Sequence, residues 1–126
     1  MIIQTKDIKR SFIMGSTTVE ALKGINFSVE KGEFIAIDKK TGKEVFSVML
    51  DNYSWSSPVD IYDEAGNVYI FLTDVFGTIY LLDGLTGGII FKEKTNYVFE
   101  SSPVVVKDQI FIASRGNSIL SFKIKS

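Results

Sequence analysis

The sequence predicts an all-β chain of antiparallel, up-and-down four-stranded sheets, and three observations carry that reading. Short apolar runs alternate with polar residues at a period of two, as in Ile25, Phe27 and Val29, the spacing that sends successive side chains to opposite faces of a strand. Glycine-bearing turns separate the runs, at Gly15-Ser16-Thr17-Thr18 and at Lys31-Gly32. A block of four such runs then recurs along the chain.

The elements follow in order. Residues 2–13 and 19–30 form two β-like stretches, with Ile2, Ile3, Ile8 and Phe12 carrying the apolar signal of the first. Strands near 33–37 and 44–50 come next. A complete set of four is expected near 57–63, 67–73, 78–83 and 89–94, and a set of three near 101–107, 109–114 and 118–124. The expectation is therefore two four-stranded sheets and one three-stranded sheet, with apolar faces and unpaired edges at the ends.

The repeat is explicit. Asp38-Lys39-Lys40-Thr41-Gly42-Lys43-Glu44-Val45-Phe46 returns as Asp83-Gly84-Leu85-Thr86-Gly87-Gly88-Ile89-Ile90-Phe91, and Ser56-Ser57-Pro58-Val59 returns as Ser101-Ser102-Pro103-Val104. Ile79-Tyr80-Leu81-Leu82 returns as Ile119-Leu120-Ser121-Phe122 after a shorter interval, because the turn at Asp63-Glu64-Ala65-Gly66 exceeds that at Lys107-Asp108. A period of roughly 40–50 residues with four short strands is the signature of a propeller blade. Three sheets fall short of a closed ring, so an incomplete, about three-blade β-propeller-like array is expected.

In D-x-x-T-G the aspartate can accept bonds from N–H groups two and three residues ahead, and the glycine supplies a positive φ. Gly42→Val and Gly87→Val are accordingly expected to cost more than Gly84→Val. Ser-Ser-Pro starts a strand where the missing proline N–H does little harm.

Residues 34–126 resemble the pyrroloquinoline-quinone (PQQ)-like β-propeller repeats, whose pattern is A-x-D-x-x-T-G-x-x-x-W. Ala36, Asp38, Thr41, Gly42 and Phe46 occupy it once, and Asp83, Thr86, Gly87 and Phe91 occupy it again. Phe stands in both copies where the family places a docking Trp, and the lone Trp55 lies elsewhere. Residues 1–37 resemble the opening of an ABC transporter ATP-binding subunit of the lipoprotein-release and macrolide-exporter type. Ser11-Phe12, Val19-Glu20-Ala21-Leu22-Lys23-Gly24-Ile25-Asn26-Phe27-Ser28-Val29 and Lys31-Gly32-Glu33-Phe34-Ile35-Ala36-Ile37 carry that likeness. Phe34 to Ile37 fits both families and reads as the junction of a chimera-like chain. On this reading residues 1–33 are an ABC-like β segment that completes the first blade, and residues 34–126 are the repeats.

The ABC likeness ends where its chemistry would begin. That family follows with G-x-x-x-x-G-K-[ST], whose N–H groups cradle phosphate. Here Gly42-Lys43 is followed by Glu44, and Ile37 stands where the first glycine belongs. The resemblance implies that Phe12 is the adenine-stacking residue, the one candidate cofactor-binding position.

Composition narrows the rest. The chain has 126 residues, is 45% hydrophobic and holds neither Cys nor His, which removes thiolate chemistry and the commonest general base and metal ligand. Asp38, Asp51, Asp60, Asp63, Asp74 and Asp83 lack the spacing that wraps calcium. No catalytic residue, metal site or cofactor is expected. Fourteen basic and fifteen acidic residues nearly cancel, so nucleic acid is not an expected partner. The apolar runs are too short to insert in a membrane, and the start lacks the pattern of a secretory signal, so the cytoplasm is the expected location. The expected function is a non-enzymatic scaffold that meets a protein partner, or itself, through open sheet ends. The alternatives are an ATP-binding remnant of an ABC ATPase and a recombined or artificial chain with no evolved function.

Overall fold

A computed structural model describes residues 3–125. Every regular element among them is a strand, and no helix there is long and apolar enough to cross a membrane. In chain order the strands are β1 (Ile3–Met14), β2 (Thr17–Val29), β3 (Glu33–Ile37), β4 (Glu44–Met49), β5 (Val59–Tyr62), β6 (Val68–Thr73), β7 (Thr78–Asp83), β8 (Ile89–Lys94), β9 (Val104–Val106), β10 (Gln109–Ser114) and β11 (Ser118–Lys123). All pairings are antiparallel between chain neighbours. The fold is the all-β, up-and-down arrangement of small open sheets that the repeat predicts; Ile2 lies outside the described residues.

One expected sheet takes a different form. β5–β8 make a four-stranded sheet and β9–β11 a three-stranded one, but β1–β2 and β3–β4 are two separate two-stranded ladders. The long hairpin is irregular. Its register shifts between Thr5 and Ile8, between Ile8 and Lys9, and between Arg10 and Ser11. At the first shift Asp7 takes φ 48° and Gly24 φ 77°. The Asp7 N–H donates to Asn26 Oδ1 at 2.8 Å, and Asn26 Nδ2 donates to the Gly24 carbonyl at 3.1 Å. Bulges of this kind bend a ribbon and increase its twist, and β2 shares no ladder with the five-residue β3.

The chain divides into two compact units, at Met49/Leu50. The two family resemblances change over earlier, at Phe34–Ile37. β3 carries that changeover yet pairs with β4, so the first D-x-x-T-G hairpin belongs with the ABC-like hairpin structurally. In this first unit Ile25 of β2 packs onto the turn. A β-carbon at Gly42 would lie 2.6 Å from Ile25 Cγ1. Phe46 is buried, with its ring centroid 6.2 Å from that of Phe34.

The second unit contains the main core. Ile61, Phe71 and Ile79 from the four-stranded sheet meet Ile110 and Ile112 from the three-stranded sheet, with Phe99 from the connecting loop between them. Phe71 and Phe122 stack across the same layer at 5.6 Å. Burying such side chains is the dominant favourable term in folding, about 1.5–3 kcal/mol each.

Candidate functional site

The two D-x-x-T-G turns are the most regular polar structures in the molecule. Asp38 Oδ1 accepts from the N–H groups of Lys40 (3.0 Å) and Thr41 (2.7 Å) and from the Thr41 hydroxyl (2.8 Å). Asp83 Oδ1 accepts from Leu85 N–H (3.0 Å), Thr86 N–H (2.8 Å) and the Thr86 hydroxyl (2.9 Å). Gly42 N–H closes on the Asp38 carbonyl at 2.8 Å and Gly87 N–H on that of Asp83 at 2.9 Å. Gly42 and Gly87 take φ 68° and 76°. Each turn is flanked by the same bulge, between Ala36 and Ile37 in one copy and between Leu81 and Leu82 in the other. The Thr41 and Thr86 donors hold the Asp38 and Asp83 carboxyls below the usual carboxylate range.

This geometry decides what stands where a phosphate loop would be. A loop that cradles phosphate presents free N–H groups toward one point. Here those of Lys40 and Thr41 point at Asp38, a carboxylate, and that of Gly42 points at a backbone carbonyl. The turn has used its donors internally and sets a negative charge at their focus. Phe12 lies on β1 opposite Val19, about half exposed, and the Arg10 guanidinium sits 5.1 Å from its ring centroid. A cation therefore covers the aromatic surface that the resemblance assigns to adenine.

The aspartates considered for calcium are dispersed among structural tasks. Asp63 accepts from Asn67 and from the Tyr69 hydroxyl. Asp51 pairs with Lys92 at 2.7 Å. Asp74 is fully buried and takes the N–H groups of Phe76 and Thr78 on Oδ1 and Asn52 Nδ2 on Oδ2. Among the described residues no three His, Cys, Asp or Glu side chains gather to hold a metal.

Sequence reasoning missed the importance of Asp74 and Tyr80. Tyr80 is buried, and its hydroxyl accepts the Asp51 N–H at 2.8 Å, anchoring the loop that leads to β5. Burial pushes its phenol up from the ordinary value. The signal was present for Asp74: Asp74-Val75-Phe76-Gly77-Thr78 has an aspartate ahead of a positive-φ glycine, the logic of the recognised turns in another spacing. The Ser-Ser-Pro elements meet directly. Ser57 N–H donates to Ser102 Oγ at 2.9 Å, joining the inner strands of the two sheets at repeat-equivalent positions.

Two clefts lie in the second unit. One, of about 460 Å³, is lined by apolar residues including Phe71, Leu81, Phe91, Ile110 and Phe122. The other, of about 890 Å³, has a mixed-charge rim with Asp63, Lys107, Asp108 and Lys123. Phe91, the expected packing anchor, is nearly half exposed at the first of these.

Sheet topology and duplicated turns define a protein of blade-type β-repeats. Residues 30–126 match the PQQ_2 family, described as outer membrane protein assembly factor BamB, and the chain belongs to that family. It is also similar to ATP-binding proteins over shorter stretches. The macrolide export ATP-binding/permease protein MacB of Campylobacter fetus is 44% identical over 48 residues, 38% of this chain and 8% of that protein. The putative hemin import ATP-binding protein HrtA of Staphylococcus saprophyticus is 48% identical over 42 residues, covering 33% and 19%. HrtA of Staphylococcus haemolyticus is 29% identical over 121 residues, covering 91% and 49%. The chain thus spans at most about half the length of these curated relatives.

Proposed function

We propose that this chain is a non-enzymatic β-propeller-like repeat scaffold that meets a protein partner through an open sheet end. The observation that carries the reading is the Asp38 turn, whose N–H groups are committed to its own carboxylate. Phosphoryl transfer depends almost wholly on placing positive charge and donors around phosphate, and this position offers the reverse. The absence of His and Cys from the sequence supports the same reading, as does membership of a repeat family. Nucleic acid and membrane insertion are not part of the proposal, and the cytoplasm is its proposed location.

The likeness to ATP-binding proteins and the half-exposed Phe12 favour a second reading, a nucleotide-binding remnant. Ring stacking alone contributes about 1–3 kcal/mol, which corresponds to binding weaker than millimolar. Titration with a fluorescent ATP analogue and magnesium separates the two. The scaffold reading expects no saturation in the micromolar range and no phosphate release above background. Micromolar binding that Phe12→Ala abolishes would replace it with the second reading.

A further inference from the structure

The second unit gathers three aromatic rings at its surface. Trp55 lies on the connection from β4 to β5 and is 62% exposed, and Phe76 lies on the turn from β6 to β7 and is 54% exposed. The half-buried Tyr53 stands between them, its ring centroid 5.7 Å from that of Trp55 and 6.1 Å from that of Phe76. The backbone beneath is fixed. Val75 N–H donates to the Tyr53 carbonyl at 3.0 Å, and the Asn52 amide and the Phe76 N–H both donate to the buried Asp74. Ser54 Oγ accepts the Ser56 N–H at 3.1 Å, which pins the chain on either side of Trp55.

The next copy of the repeat shows that this frame does not require the rings. Counted from the Ser-Ser-Pro elements, Val98 and Glu100 correspond to Tyr53 and Trp55. Counted from β7 and β11, Arg115 and Gly116 correspond to Val75 and Phe76. Arg115 N–H donates to the Val98 carbonyl at 2.9 Å, the counterpart of the bond from Val75 to Tyr53. The side chains there form an exposed ion pair, Glu100 with Arg115 at 3.4 Å. The connection thus closes in the same way without aromatic side chains, so folding does not account for the exposed rings of Trp55 and Phe76. Aromatic surface held on a rigid frame is what binding sites are built from, because it offers large contact area at little entropic cost.

We propose that this ring cluster binds an extended, proline-rich segment of a partner protein, with an acidic residue beside the prolines. The inference rests on the scaffold reading and gives it a further contact surface, apart from the sheet ends, with a partner of stated chemistry. The rings are inclined, at 50° for Tyr53 and Trp55 and 73° for Tyr53 and Phe76. They therefore make ridges with clefts between them rather than one flat plate, and pyrrolidine rings seat in such aromatic clefts. A polyproline II backbone has no internal hydrogen bonds, so its carbonyls need outside donors. Trp55 supplies one: among the described residues nothing accepts its indole N–H. At the rim Lys94 donates to the Phe76 carbonyl, and among the described residues no carboxylate pairs with it. An acid on the ligand meets that charge. A sugar fits less well, because it needs free directional polar side chains around the rings. Those present are committed, Ser54 to Ser56, Thr95 to Gly77 and Asp51 to Lys92. Both the rings and a polyproline II ligand are ordered before they meet, which lowers the cost of binding.

The test uses the full chain and fluorescein-labelled polyproline peptides, one ending in glutamates and one in lysines, with a glycine-serine peptide of equal length as control. Fluorescence anisotropy is expected to show saturable binding of the glutamate peptide below millimolar concentration, weaker binding of the lysine peptide and none of the control. Trp55→Ala and Phe76→Ala should each weaken binding about tenfold or more while leaving the thermal midpoint in place, since both side chains are exposed. If one of them lowers the midpoint, the other still decides. Trp55→Phe keeps a ring and loses the donor, so it should fall between wild type and Trp55→Ala. Lys94→Gln should remove the preference for glutamate over lysine. No saturation up to millimolar peptide overturns the proposal, as does binding that neither alanine variant weakens or that the control peptide matches. Equal affinity of the wild-type chain for the two proline peptides overturns its acidic component. A cello-oligosaccharide that quenches the sole tryptophan while the peptides fail to bind overturns it in favour of a sugar platform. Titrating the same samples with the ATP analogue separates the two failures. Micromolar nucleotide binding removes the scaffold reading, whereas silence toward both nucleotide and peptides removes this inference alone.

Discussion

The two units contain the same turn and put it to different use. In each, an aspartate gathers two N–H groups and a threonine hydroxyl, a glycine takes positive φ, and a bulge flanks the turn. Around Asp83 that hairpin belongs to a four-stranded sheet backed by a second sheet. Around Asp38 it belongs to a two-stranded ladder, and among the described residues the buried apolar side chains other than Phe46 all lie in the second unit. Ile3, Ile8, Phe12, Ile13, Met14 and Val19 of the first unit are exposed. Turn chemistry is therefore local and survives a change of surroundings. Core formation is not, because a hairpin buries a face only when another layer covers it.

The largest effects should fall where that layer exists. Phe99 is completely buried between the two sheets, and Phe99→Ala is expected to destabilise the second unit by about 3–5 kcal/mol. Phe12→Ala removes a half-exposed ring and should stay within about 0.5 kcal/mol. Urea unfolding followed by tyrosine and tryptophan fluorescence reads the first. Equal midpoints for the two variants would show that the core does not reside where the packing places it.

Glycine substitutions come next and sharpen the comparison between turns. A β-carbon at Gly77, φ 95°, would lie 2.1 Å from the Tyr97 carbonyl oxygen, so Gly77→Ala should cost the most, about 3 kcal/mol or more. The sequence suggested that Gly84→Val would be milder than Gly42→Val. The structure removes that distinction. Gly84 avoids positive φ, but its β-carbon would meet the Val68 carbonyl oxygen at 2.8 Å. At Gly42 the obstacle is the Ile25 side chain, which can rotate, added to strain from φ 68°. Both are expected to cost about 1–3 kcal/mol, with Gly84→Val no milder than Gly42→Val in thermal midpoint.

Much of this was legible in the residues. Period-two alternation places each strand within a few residues, because side chains must alternate between core and solvent. D-x-x-T-G announces its own hydrogen bonds, because both partners lie within four residues. What escaped depends on distant partners. Nothing near Tyr80 indicates that its hydroxyl receives the Asp51 N–H. Nothing in residues 19–30 indicates the register shifts of the β1–β2 ladder, because Gly24 and Asn26 act only once Asp7 is opposite. The junction at Phe34–Ile37 is plain as sequence, yet the compact units divide after Met49.

The smallest expected effect is a matched one, and it tests whether the two turns are equivalent. Thr41 donors lower the Asp38 carboxyl, and Thr86 donors lower that of Asp83, from the ordinary value of 3.8. A carboxyl lowered in the folded state binds protons less readily there than in the unfolded chain. Its contribution is therefore complete above the unfolded value and fades as pH falls through the folded one. Both turns should accordingly weaken only below about pH 4, and salt should act more on Asp38, which the Lys39 charge also lowers, than on Asp83, which hydrogen bonds alone lower. Carbon-detected carboxyl titration by nuclear magnetic resonance would follow them separately. Asp83→Asn keeps an acceptor oxygen but loses the charge, so it should abolish the acid response of its own turn and leave that of Asp38 untouched. If the Asp38 midpoint rose above 3.8 while that of Asp83 stayed low, the first turn would be frayed in solution. The four-stranded sheet would then be needed to hold a motif that the two hairpins now show as self-sufficient.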